Sequence, residues 1–492
     1  MKLKKTVCFT LAGMFCLSSR AGAMLALGGP LGSNMVIQQN KPFCIWGHGD
    51  AGVSVRVRGD WMEGVVQVEA DAQGNFMGII PVPPVQPGDY RAHVLTVESG
   101  VDKVVLENLL IGEVWFCSGQ SNMQFGMKDV LDSTAEIAAA QHPGMRLFNA
   151  ALNFSARPLD SVRGRWQECT PETVKGFSAV AYYFGRALQQ RLNLPVGLIF
   201  SGIGAAAAQA YVPEPLLAAD SLLDSAYLRP YLNSPRSKEQ IDAGFSFEKV
   251  TRPFLLYNAL IYPFRHLSIR GFCWYQGESN RRERAPYTWL MQTLISGWRQ
   301  AFGQGELPFF YVQIAPFAYD KEGPSMADDA FFREAQTRIS GLGNTAMVIT
   351  MDVGDVNNLH PKNKKPVGER LGRTALNRVY GQLDVAWQGP VYQGMEVKGH
   401  RVRVLFEPGT VAGGLRTRDG KAPAYFSLAG KDHVFHPAEA EIRGDAVVLK
   451  AAGVKHPLAV RYAFTNYPIT NFENGEGLPA VPFRTDDWPE NK

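Results

Sequence analysis

Four short stretches of this chain carry side chains that could work on a carbonyl. They are Ser118-Gly119-Gln120-Ser121-Asn122-Met123, Ser201-Gly202-Ile203-Gly204-Ala205-Ala206, Gln276-Gly277-Glu278-Ser279-Asn280, and the run from Asp352 through Gly354 and Asp355 to His360. Between them they hold a hydroxyl, a glycine-rich backbone, a carboxamide, and a histidine with acids nearby. Acyl transfer needs a nucleophile, a base, an orienting acid and donors for an oxyanion, and these stretches hold all four. The central region contains three histidines, His142, His266 and His360. The first two lie in segments leading into strand-like runs, and only His360 follows one. A catalytic histidine is therefore His360 or none.

Other chemistries fit less well. The chain has no H-E-x-x-H and no paired-cysteine motif, and no second histidine lies near His360, so a metal centre is not expected. Glu278 with Asp352 or Asp355 could supply the two facing carboxylates of a glycosidase. That reading leaves the serine and the glycine-rich stretch unused.

Each stretch follows an apolar run of strand length. These runs cover residues 112–117, 196–200, 271–275 and 346–351, with a further one at 309–314. Amphipathic helices are expected between them at about 174–192, 286–302, 330–339 and 367–380. In the first of these, Phe177, Val180, Ala181, Phe184 and Leu188 keep helical spacing. Short apolar strands alternating with such helices predict a parallel sheet covered on both faces. Ligands then bind beyond the carboxyl ends of the strands, where all four stretches lie. Ser121 is expected where a strand gives way to a helix, whose amino end would favour developing negative charge.

The flanking regions have a different rhythm. Val53, Val55 and Val57 alternate with Ser54, Arg56 and Arg58, and turn signals stand at residues 71–75 and 86–89. The same pattern returns after about residue 390, with Val402, Val404 and a hairpin signal at Arg443-Gly444-Asp445. The expected organisation is an N-terminal antiparallel β-sandwich module over 24–107, an α/β domain over 108–385 with an insertion at about 214–248, and a C-terminal β-sandwich module over 386–492.

Residues 1–23 read as a signal peptide. They have a basic start at Lys2, Lys4 and Lys5, an apolar run at 7–18, and an Ala21-Gly22-Ala23 cleavage site. The apolar run is too short to span a membrane. The chain is thus expected to be secreted or periplasmic. Cleavage would remove four positive charges and no acid, taking the formal net charge from +4 to zero. The basic balance belongs to this segment and is no argument for nucleic acid or anionic membranes. With 46% hydrophobic and 20% charged residues in 492, the rest has the composition of a globular protein with a large core. Cys44, Cys117, Cys169 and Cys273 would remain after cleavage. None are close in sequence, and Cys117 and Cys273 lie in apolar runs where buried thiols are usual.

The run Gly112-Glu113-Val114-Trp115-Phe116-Cys117-Ser118-Gly119-Gln120-Ser121-Asn122-Met123 resembles the signature of the sialate O-acetylesterase family. Further matching blocks are Trp274-Tyr275-Gln276-Gly277-Glu278-Ser279-Asn280 and Met351-Asp352-Val353-Gly354-Asp355, followed by His360-Pro361-Lys362-Asn363-Lys364. The resemblance extends from Met35-Val36-Ile37-Gln38-Gln39 to Gly477-Leu478-Pro479-Ala480. It implies a three-layer SGNH-hydrolase domain of flavodoxin-like type. The implied activity needs no cofactor or metal and removes acetyl groups from sugar hydroxyls, foremost O9 of sialic acid. By position, Ser121 would be the nucleophile and His360 the base. The amides of Ser121 and Gly204 and the carboxamide of Gln276 would form the oxyanion hole.

Two departures bear on these roles. The acid that the family often places two or three residues before the histidine is replaced by Asn358 and Asn357. Asp355 or Asp352 would have to orient His360, or the site would work as a Ser-His dyad. The usual Gly-Gly-Thr is Gly204-Ala205-Ala206 here. An acetylxylan or other polysaccharide O-acetylesterase is the alternative within enzymes. A carbohydrate-binding protein that has lost its activity is the alternative outside them.

Overall fold

A computed structural model describes residues 24–319 and 327–489 of the chain. The segment expected to be a signal peptide lies outside the described residues. At the centre stands a seven-stranded sheet. Its strands in chain order are β1 (Asp102–Gly119), β2 (His142–Asn149), β3 (Trp166–Cys169), β4 (Val196–Phe200), β5 (Gly271–Tyr275), β6 (Phe309–Val312) and β7 (Thr345–Val348). Across the sheet the order is β3-β2-β4-β1-β5-β6-β7. All neighbours are parallel except β3, which pairs antiparallel with β2 at the edge.

Alternation along β1 explains how both faces are covered. Trp115 and Cys117 join one core with Tyr182, Phe184 and Leu188 of α2 (Ala179–Leu192) and Val367 and Leu371 of α5 (Lys365–Arg378). Phe116 faces the other way, against Trp298 and Phe302 of α3 (Ala285–Phe302). Helix α4 (Asp328–Thr337) lies on this second face, where Tyr311 of β6 donates a hydrogen bond to its Gln336 carbonyl. The layers between 112 and 380 follow the expected alternation.

The expected boundary at 107/108 falls inside β1. This strand begins in the N-terminal module, antiparallel to His93–Ser99, and its middle also pairs with Val36–Gln38. Asn108, with φ of 55°, bends it before it enters the central sheet. The other N-terminal strands include Ser54–Gly59, where Val55 and Val57 are buried and Arg56 and Arg58 exposed. Beyond residue 390 the chain forms only antiparallel sheets, including a hairpin that turns between Arg443 and Ala446 at Gly444. Residues 214–248 form short helical turns against α3 and the 278–283 turn. Trp289 reaches Asp220 and Tyr227 donates to Glu283. Cys44, Cys117, Cys169 and Cys273 are free thiols, the last three buried.

Candidate active site

The segments following β1, β4, β5 and β7 converge at the carboxyl edge of the sheet. β1 ends at Gly119, whose φ of 142° suits glycine, and a Cβ there would stand 2.1 Å from the Tyr275 carbonyl oxygen. That close approach lets the chain turn at once into α1 (Ser121–Gln124). The helix is a single turn, ended at Phe125 by φ −47° and ψ 119°. The expected helix is therefore too short to contribute much of a macrodipole.

Ser121 Oγ lies 2.8 Å from His360 Nε2. Residues 239 apart in the chain thus form a hydrogen-bonded pair of nucleophile-and-base geometry. The His360 main-chain N–H donates to Asn358 Oδ1 at 3.0 Å, and its ring lies over Phe125 with centroids 6.3 Å apart. Burial, then the nearby Lys364 ammonium, hold the imidazole pKa below its usual value. The other two central histidines sit elsewhere. His142 meets Tyr182 at the start of β2, and His266 packs edge-on against Trp46.

Gly204 stands against the nucleophile, where a Cβ would lie 3.4 Å from Ser121 Cβ. Its N–H donates to Gln124 Oε1 at 2.8 Å. The Ser121 N–H has no protein acceptor among the described residues. Two main-chain donors thus flank the hydroxyl, one of them held by a neighbouring side chain.

Gln276 is placed differently from the expected oxyanion role. Its side chain is fully buried, and Nε2 donates to the Ala206 carbonyl (3.1 Å) and to Asn280 Oδ1 (2.7 Å). Its Oε1 accepts from Tyr287. Both amide hydrogens are committed to the fold, which leaves none to offer an oxyanion in this arrangement.

Neither expected acid bonds to His360. Asp352 is gripped by Arg370 at 2.7 and 2.6 Å and by Arg418 at 3.3 Å. Asp355 is exposed and accepts from the Asn357 N–H at 2.9 Å, closing its own turn. Among the described residues Nδ1 of His360 has no hydrogen-bond partner. The pair thus has the geometry of a dyad. Glu278, the carboxylate weighed for a glycosidase, is buried beneath the pair and bonds Asn122. No group of three His, Cys, Asp or Glu suited to a metal occurs among the described residues.

A family model for carbohydrate esterases described as sialic acid-specific acetylesterases matches residues 111–377. The chain belongs to this family. It is a carbohydrate esterase, and so a carboxylic ester hydrolase. Sialate O-acetylesterase of Rattus norvegicus is 28% identical over 508 residues, covering 92% of each chain. That of Homo sapiens is 28% identical over 419 residues, covering 77% of this chain and 76% of its own. Among solved structures, a carbohydrate acetylesterase from Xanthomonas citri superposes with a TM-score of 0.83 at 29% identity, over 94% of this esterase and all of that chain. The segment matched by the family model contains Ser121, Gly204, Gln276 and His360.

Proposed function

We propose that this esterase deacetylates sialic acid at its 9-O-acetyl group through an acetyl-Ser121 intermediate, within an SGNH-type domain and after export from the cell. The observation that carries the reading is the 2.8 Å hydrogen bond between Ser121 Oγ and His360 Nε2 at the carboxyl edge of the sheet. His360 takes the Ser121 proton as Oγ bonds to the acetyl carbon, and the carbonyl π electrons move to oxygen. The amides of Ser121 and Gly204 receive that oxyanion, the second once Gln124 Oε1 yields its place. Such donors are worth about 3–4 kcal/mol each in comparable sites. Collapse breaks the bond to the sugar oxygen, which leaves with the proton from His360. Water, deprotonated by the same imidazole, then releases acetate.

The test is acetate release from 9-O-acetylated sialic acid, with Ser121→Ala as the blank. Release that disappears in the variant supports both nucleophile and substrate. Hydrolysis of an aryl acetate alone, still dependent on Ser121, moves the substrate to another acetylated sugar such as acetylated xylan. Silence on both from folded protein would favour the binding-only alternative, which gives the hydrogen-bonded Ser121–His360 pair no task. Export rests on residues 1–23, and a mature amino terminus at Met24 is its expected mark.

A further inference from the structure

The serine and histidine belong to separate turns, and among the described residues His360 has no carboxylate to hold it. Something else must keep the two turns in register. Asn122, next to the serine, is fully buried, with both amide hydrogens donated and its carbonyl oxygen accepting. Its Nδ2 donates to the carbonyl of Leu359, the residue before His360, at 3.2 Å, and to Glu278 Oε1 at 2.5 Å. Its Oδ1 accepts from Lys364 Nζ at 2.5 Å. The amide orientation is fixed by these partners, since the flipped form would set Oδ1 against two acceptors and Nδ2 against an ammonium. Lys364 is 1% exposed and Glu278 is 9% exposed.

We infer that Asn122, held between Lys364 and Glu278, is a positioning unit that locks the turn bearing Ser121 to the turn bearing His360. The inference rests on the reading of Ser121 and His360 as the reacting pair. Three strand ends contribute, those of β1, β5 and β7, so the unit forms only when the sheet is assembled. A buried Lys–Asn–Glu chain is costly in desolvation, and packed apolar residues would often stabilise as well. Asn122 adjoins Ser121 and bonds the residue before His360, which gives that cost a purpose.

The unit also sets a charge beside the base. Lys364 Nζ lies 4.9 Å from the Phe125 ring centroid, and Phe125 in turn packs on His360. Burial holds the Lys364 pKa down to about 7, with Glu278 opposing. Burial likewise raises the Glu278 carboxyl, against the pull of Asn122 and Lys364. Among the described residues, the ionisable groups near Lys364 and Glu278 include the phenols of Tyr275, Tyr287 and Tyr319, all pushed up first by burial and then by Glu278, and the His360 imidazole. None of the three phenols titrates in the working range. Lys364 is therefore the cation that disfavours the imidazolium.

The experiment compares the full-length mature enzyme with Asn122→Ala, Asn122→Asp, Lys364→Met and Ser121→Ala, recording kcat and KM on an aryl acetate from pH 5 to 9. Loss of the lock should lower kcat about a hundredfold with KM little changed, the cost of misplacing reacting atoms by ~1 Å. Asn122→Asp keeps the shape but cannot donate to Leu359, so it carries the same expectation if Asn122→Ala does not fold. Lys364→Met should move the acidic limb of kcat/KM to higher pH, a shift that a merely structural lysine would not produce. Asn122 variants within about threefold of wild type, or an unmoved limb in folded Lys364→Met, overturn the inference while Ser121→Ala remains inactive. Activity persisting in Ser121→Ala would instead remove the reading of the pair itself.

Discussion

At the scale of single residues, the proposed role of His360 as base makes its protonation state the one that governs activity. Burial and Lys364 both disfavour the imidazolium, so its pKa lies below the ordinary 6.5. On the proposed mechanism the imidazole must be neutral to accept the Ser121 proton. Activity should therefore fall only as pH drops through a value under 6.5, and a pH profile of kcat/KM checks this. The two aspartates separate by their partners. Asp355→Ala exposes no charge and frees only a surface turn, so kcat should stay within about threefold of wild type. If Asp355→Ala instead cost about 10⁴-fold, as loss of an orienting acid does, the dyad reading would be wrong.

At the scale of elements, two turns hold the pair's surroundings and each can be probed. Ala205 adopts φ of 60°, the left-handed region where a Cβ is strained, at the position the family usually fills with glycine. Ala205→Gly should stabilise the protein by about 1 kcal/mol in denaturant titration. Ser178 caps α2, accepting from the Ala181 N–H at 3.1 Å and donating to the Met123 carbonyl at 2.6 Å. It thereby ties α2 to the helical turn that begins with Ser121. Ser178→Ala should cost about 1–2 kcal/mol of stability, the usual loss for an N-cap. Most of these elements were legible beforehand. Short apolar strands and helices of 3.6 periodicity read directly from local pattern. The helix expected over 174–192 begins at Ala179 because Ser178 supplies the cap, and the helix expected after Ser121 ends after one turn.

At the scale of the whole molecule, the C-terminal module is stitched to the central domain next to the pair. Arg418 and Arg370 share Asp352, and Arg333 of α4 donates to the carbonyls of Thr465 and Asn466. Arg484 pairs with Glu334 of the same helix. Asp352 thus joins the loop leading to His360 to both α5 and the C-terminal module. Asp352→Ala would leave the buried Arg370 guanidinium without its carboxylate, while the partly exposed Arg418 turns to solvent, and should cost about 3 kcal/mol. Thermal unfolding with and without the substitution measures this, and a change of less than about 0.5 kcal/mol would sink the account.

From residue types and order alone came the alternation of layers, the strand ends as the place for chemistry, and His360 as the one of three central histidines that follows a strand. These are local properties, because periodicity and strand-end position need no knowledge of partners. Tertiary structure alone decided which groups face each other. It set Gln276 into the core, gave Asp352 to two arginines, placed Gln124 on the Gly204 amide, and gathered Asn122, Glu278 and Lys364 beneath the pair. A buried polar group bonds to whatever the packed chain brings within about 3 Å, and those partners lie up to 242 residues away in the sequence.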